Sequence, residues 1–177
     1  AAKVALWINE ESKLFDAFKK IVPRWVGEDS EAARRWLQAL PEGRERDAFT
    51  VAMAHTLSSK APAEAAALLA QIKGENFSQR VVHEVMSHWA GQDPAAAVQW
   101  LTGLPDGPFR NRAAYEFAVC APNEQWATAL KLAQSVQGEE SRQRAVLSAI
   151  AKWVEHDPAT ASEWLNLLSP GYARDHA

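Results

Sequence analysis

The chain has few of the residues that build disulfide frameworks, metal clusters or nucleic-acid interfaces. It holds one cysteine, Cys120, among 177 residues, which excludes an internal disulfide and a zinc site made of several cysteines. No apolar run approaches the about 20 residues of a membrane-spanning helix, so we expect no membrane insertion of this segment. Since 19 Lys and Arg compare with 22 Asp and Glu, there is no basic excess, and we expect no nucleic-acid partner.

Motifs for catalysis or cofactor binding are also missing. His83-Glu84 begins like the helix of a zinc protease, but the second histidine is His88, about 140° around a helix from the first. Gly103 and Gly107 fit turns rather than a phosphate-binding loop, and Cys120 fits a partly buried structural thiol. The sequence therefore predicts no catalytic residues, no metal and no cofactor.

What the chain does have is eight tryptophans, and their spacing reveals a repeat. Three of them are 64 residues apart, and columns of similar residues recur every 32 residues without a gap. The tryptophan column is Trp25, Trp89 and Trp153. A column of alanines consists of Ala33, Ala65, Ala97, Ala129 and Ala161. Internal repeats of this length are typical of stacked helical units.

Each unit has the pattern of two short helices. Asp29, Asp93 and Asp157 are predicted N-caps, because a carboxylate can accept hydrogen bonds from the free amides of the first turn. Apolar residues at 33, 36, 37 and 40 form a stripe at helical spacing, which predicts a first helix in each unit. A second helix is predicted to begin near Arg46. We expect the large tryptophans to fill the core between these helices.

The repeat predicts an all-α fold, an α-solenoid of antiparallel helix pairs with about eleven helices. We expect one helical-repeat domain over 1–177, with units at 25–56, 57–88, 89–120 and 121–152 and partial units at about 1–24 and 153–177. Ala1 falls in the alanine column and Arg174 in the first turn of a second helix. The register therefore predicts a fragment of a longer array, with self-association through its truncated ends as a further expectation.

Arginines form two columns in the second helices. Arg46, Arg110, Arg142 and Arg174 share the first column, which we expect to bind the C-terminal carbonyls of the preceding helix. Arg80, Arg112 and Arg144 share the second column, which is predicted to point outward into solvent and to be dispensable for folding. Glu84 and Glu116 recur in a column that is also predicted to point outward.

The helix pairs, the Trp36-Leu37 pair of the first helix, the alanine column and the prolines at the junctions resemble the tetratricopeptide-like α-solenoids. The resemblance is architectural and covers nearly the whole chain. The period is 32 rather than 34, and the Gly and Tyr of that family are not found at matching spacing after Trp36. The resemblance implies a right-handed superhelix whose concave face, formed by the first helices, binds a peptide or protein.

The first functional hypothesis is accordingly a non-enzymatic scaffold that binds a protein or peptide. Opposite the alanine column, the first helices carry mostly amide and singly charged side chains above small alanines. Amides can both donate to and accept from a peptide backbone. The predicted partner-binding residues are Arg35, Gln38, Gln99, Lys131, Gln134 and Asn166.

The alternative is a carbohydrate-binding or carbohydrate-active module built like an α/α-toroid, in which tryptophans stack on sugars. Such an enzyme needs paired carboxylic acids. Glu84 and Glu116 are the candidates in the second helices, but no distinctive loop surrounds them and the 32-residue units leave only short loops. A third hypothesis, recognition of RNA by helical repeats, would require a basic groove that the charge does not support.

Overall fold

The computed structural model describes residues 11–73, 77–122 and 125–167, and these residues form α-helices joined by short turns, with no strand. None of the described helices combines the length and apolar character that crossing a membrane requires. The helices are α1 (Glu11–Ala39), α2 (Arg44–Leu57), α3 (Pro62–Leu69), α4 (Gln79–Gln92), α5 (Pro94–Gly103), α6 (Pro108–Cys120), α7 (Trp126–Gln134), α8 (Glu139–His156) and α9 (Pro158–Leu167).

The described residues thus form nine helices, and the prediction of about eleven was wrong in number. One reason is that the two helices predicted on either side of Asp29 are counted here as the single element α1, which is kinked at Asp29, where the backbone is non-helical (φ −155°, ψ 87°). The sequence also predicts helical segments at 1–8 and near Arg174, and both lie outside the described residues.

The predicted aspartate caps are confirmed. Oδ1 of Asp29 accepts a hydrogen bond from the amide of Ala32 at 2.9 Å, and Asp93 does the same for Ala96 at 2.9 Å. Oδ1 of Asp157 accepts from the amide of Thr160 at 3.2 Å. Each carboxylate satisfies an amide that has no partner within its helix, and this fixes where the helix begins.

The chain divides into two compact units, Ala1–Trp89 and Ala90–Ala177. In the first unit, α2 packs against both α1 and α3. Phe49 of α2 is fully buried. The centroid of its ring lies 4.5 Å from the ring centroid of Trp36 and 5.2 Å from that of Phe18. Ala33 and Ala65 are also fully buried, as the alanine column predicts.

In the second unit, helices contact their sequence neighbours and also the next helix but one. The neighbouring pairs α6–α7, α7–α8 and α8–α9 are in contact, and so are the pairs α5–α7 and α6–α8. Ala97, Ala129 and Ala161 are at most 2% exposed, which extends the buried alanine column through this unit. Small side chains at these positions let the helices approach closely.

The prediction that the tryptophans fill the core is correct for only some of those that the structure describes. Trp89 is 5% exposed and Trp126 is 7% exposed. Trp25, Trp36, Trp100 and Trp153 are half-buried, so part of each indole remains in contact with solvent. Phenylalanine, leucine, methionine and valine account for the largest fully buried side chains instead, because a smaller side chain fits wholly between closely spaced helices.

Candidate functional site

The predicted partner-binding residues lie on four helices, α1, α5, α7 and α9. Arg35 and Gln38 follow the kink in α1, Gln99 lies on α5, and Lys131 and Gln134 lie on α7; all five are exposed. Asn166 belongs to α9, but its side chain lies outside the described residues. The exposed positions alternate with the buried alanine column at helical spacing, so the predicted orientation of these helices is confirmed.

In the first unit, the candidate residues lie beside an ion pair that joins two first helices. Arg34 of α1 contacts Oε1 of Glu64 on α3, with Nη2 at 2.6 Å and Nε at 2.9 Å. Arg35, the candidate next to it, forms a longer 3.5 Å pair with Glu31 one turn earlier. That pair is exposed and weak, so the Arg35 guanidinium can turn toward another acceptor.

In the second unit, three candidates lie on two helices that touch. Gln99 is on α5 and Lys131 and Gln134 are on α7, and the two helices pack against each other. Ala95 and Ala127 are exposed on the same helices. These residues, Gln99, Lys131, Gln134, Ala95 and Ala127, are called the α5–α7 face below. Its two amides supply both donors and acceptors next to two side chains that add almost no bulk.

Lys131 differs from the other cations of its unit. Each of the remaining described Lys and Arg side chains between 90 and 167 forms an ion pair: Arg110, Arg112, Arg142, Arg144 and Lys152. Lys131 is exposed and has no ion-pair partner among the described residues of the unit. As far as the described residues of the unit are concerned, its charge is therefore available to a ligand without first breaking an ion pair.

Two of the four arginines of the first column, Arg142 and Arg110, bind carbonyl groups at a helix end, although not always on the expected helix, and Arg174 lies outside the described residues. Nη1 of Arg142 donates to the carbonyl of Val136, just beyond α7, at 3.5 Å. Arg110 donates to the carbonyl of Ser135 at 3.2 Å and to its hydroxyl at 3.0 Å. Ser135 follows α7, so Arg110 binds the end of the following first helix rather than the preceding one.

The outward orientation predicted for the second arginine column is wrong at Arg112. Its side chain is 30% exposed and pairs with Glu116, which is 3% exposed. Glu116 was also predicted to point outward, and the structure buries it. A buried carboxylate requires a cation and hydrogen bonds to remain charged, so Arg112 has a structural role that the helical pattern alone did not indicate.

A second pair of polar residues links α2 and α4. Nε2 of His55 lies 3.4 Å from Oε2 of Glu84, and both side chains are about three-quarters buried. Burial lowers the pKa of His55; the carboxylate of Glu84 opposes this effect, while Lys19 and Arg80 add to it. The neutral imidazole is therefore favoured in the folded protein.

Trp126 is a buried residue that the repeat did not identify. It begins α7, where the register has proline at 62, 94 and 158. Its ring centroid lies 6.0 Å from that of Trp153 and 5.5 Å from that of His156. Its indole N–H is buried with no hydrogen-bond partner among the described residues. The sequence signal that could have identified Trp126 is a tryptophan at a register position where other units have a helix-starting proline.

The described residues contain no group of three or more His, Cys, Asp or Glu side chains that could hold a metal ion. No protein-family model, no curated protein and no solved structure matches the chain. The resemblance to tetratricopeptide-like solenoids therefore stays a prediction from the sequence.

Proposed function

We propose that the chain is a non-enzymatic scaffold of stacked 32-residue helix pairs, and that it binds an extended segment of a protein or peptide across the exposed side of its first helices. The carbohydrate-module alternative has less support. Glu116 is buried and ion-paired, and the half-buried Trp36 and Trp100 pack edge-on against Phe49 and Phe109.

Support for the stacked repeat comes from the helix starts and from the packing of the second unit. Helices α3, α5, α7 and α9 begin at positions 62, 94, 126 and 158, each 32 residues after the one before. The residues before three of them, Ala61, Asp93 and Asp157, share φ between −151° and −144° and ψ between 65° and 80°. The α5–α7 and α6–α8 contacts are those that stacked helix pairs make.

The observation that carries the binding proposal is the α5–α7 face. An extended peptide has unsatisfied backbone donors and acceptors, and Gln99 and Gln134 are exposed amides that can bind both kinds. Ala95 and Ala127 leave room for the peptide to lie close to the helices. Lys131 adds one positive charge that has no ion-pair partner among the described residues of its unit, which suits a peptide with a single acidic group rather than a strongly acidic one.

The test begins with a peptide ligand selected from a random display library on the immobilised chain, followed by titration of the synthetic peptide. Changing Gln99, Lys131 and Gln134 together to Ala should weaken its Kd by about tenfold or more, because several contacts are lost at once. The matched control changes Lys60, Gln79 and Gln92 to Ala, which removes the same residue types from exposed positions off this face.

Circular dichroism melts establish that both triple variants are folded. The proposal predicts that the control variant binds with the affinity of the original chain. Equal binding by both triple variants would show that the ligand lies elsewhere, and selection of no peptide at all would contradict the scaffold function itself.

A further inference from the structure

Helix α8 carries an apolar stripe on its solvent side. Leu147 is 41% exposed and Val154 is 42% exposed, and they are the large apolar side chains left exposed among the described residues. They are seven residues apart, which is two helical turns, so they lie on one side of α8. Ala151 lies between them and is also exposed. A flat stripe with a small residue at its centre allows another helix to approach closely.

Two opposite charges lie along one edge of this stripe. At about 100° per residue, Arg144 and Glu155 project to the side of Ala151 opposite Leu147 and Val154. Both are well exposed, at 64% for Arg144 and 65% for Glu155. Their present ion pairs, with Glu140 at 2.7 Å and Lys152 at 3.4 Å, are within the same helix. Exposed pairs of this kind are weak and can be exchanged for others.

Two copies of this stripe and its charged edge are complementary when the two α8 helices run in opposite directions. We propose that α8 pairs with α8 of a second copy of this chain, antiparallel and related by a two-fold axis close to Ala151. The two-fold axis places Leu147 against Val154 of the second copy. On the other edge it brings Arg144 within reach of Glu155 of the second copy, and the symmetry repeats both contacts. A parallel pairing would instead place the charged edge of each helix against the apolar edge of the other.

The dimer is independent of the proposed peptide site, because α8 is a second helix and the α5–α7 face is formed by first helices. A single helix pair buries less than the about 1,200–2,000 Å² of a standard stable interface. We therefore expect a weak dimer, with a Kd on the order of 10–100 µM. The assay must follow the equilibrium across that concentration range.

Sedimentation equilibrium of the original chain from about 5 to 500 µM should show a monomer–dimer equilibrium with a Kd in that range. Leu147→Asp should weaken the dimer about tenfold or more, since it places a charge in the apolar contact. Arg144→Glu and Glu155→Arg should each have a similar effect, because each opposes two like charges across the interface. A mixture of these two variants should restore dimerisation, since every interchain pair is then of opposite sign.

The matched control is Arg24→Glu on α1, which reverses another well-exposed arginine in a pair with Glu28 one turn away. It should leave the dimer Kd within about twofold of the original value. A chain that stays monomeric at 500 µM overturns the proposal. If Leu147→Asp abolishes the dimer but the mixture of charge variants remains monomeric, the antiparallel arrangement is wrong.

Discussion

Removing the Arg112 guanidinium should destabilise the protein, although the sequence pattern predicts that the residue points outward and is dispensable for folding. Arg112 is the ion-pair partner of Glu116, whose carboxylate is 3% exposed, and its own side chain is 30% exposed. Breaking a fully buried ion pair from one side costs about 3–5 kcal/mol. Because water can partly reach the place that Arg112 leaves, we expect Arg112→Ala to lower the free energy of unfolding by about 2 kcal/mol.

Urea unfolding followed by circular dichroism measures this loss, and Arg24→Ala is the matched control. Arg24 forms the same i,i+4 pair with Glu28 at 2.8 Å, but both side chains are more than 60% exposed. Such an exposed pair contributes little to the free energy of unfolding. Changing Glu116 to Gln in the Arg112→Ala background should recover part of the loss, because the buried charge is removed. Equal effects of Arg112→Ala and Arg24→Ala would refute the burial argument.

The buried side of the first helices and their start points could be predicted from the sequence. Ala33, Ala97 and Asp93 are local signals: a 3.6-residue period predicts which side is buried, and a carboxylate before a proline predicts where a helix begins. Both signals depend on a few neighbouring residues. In agreement with both signals, these alanines are buried and Asp93 accepts a hydrogen bond from the first turn of α5.

The partners of individual side chains could not be predicted in this way. Arg112 and Arg144 occupy the same column of the repeat, yet the first pairs with a buried glutamate and the second with an exposed one. The difference depends on which neighbouring segments cover each helix. Periodicity averages over the units and so describes the surroundings that they share, not those of one unit.

For the candidate site too, the sequence predicted the exposed sides of the helices but not the partners of individual side chains. The sequence predicted which side of α5 and α7 is exposed, because burial of Ala97 and Ala129 fixes the phase of each helix. Stacked helix pairs also predict that α5 and α7 touch. The sequence could not predict that Lys131 lacks an ion-pair partner among the described residues of its unit, because that depends on contacts between residues that are distant in the chain.

Three further predictions concern stability. Asp93→Ala should cost about 1 kcal/mol in urea unfolding, since it removes the N-cap of α5, and a loss below about 0.3 kcal/mol would contradict the cap. Phe117→Ala should lower the free energy of unfolding by about 3–5 kcal/mol, because Phe117 is fully buried. Trp100→Ala should lower it by less, because Trp100 is only half-buried. A larger loss for Trp100→Ala than for Phe117→Ala would contradict the observed burial. The last prediction concerns pH. Burial lowers the pKa of His55, so the unfolded chain takes up a proton before the folded chain does as the pH falls below about 7. Stability should therefore fall from pH 7.5 to pH 5, and His55→Gln should reduce that fall while His88→Gln, an exposed control, should not. An identical fall in the original chain and in His55→Gln would show that protonation of His55 is not opposed by folding.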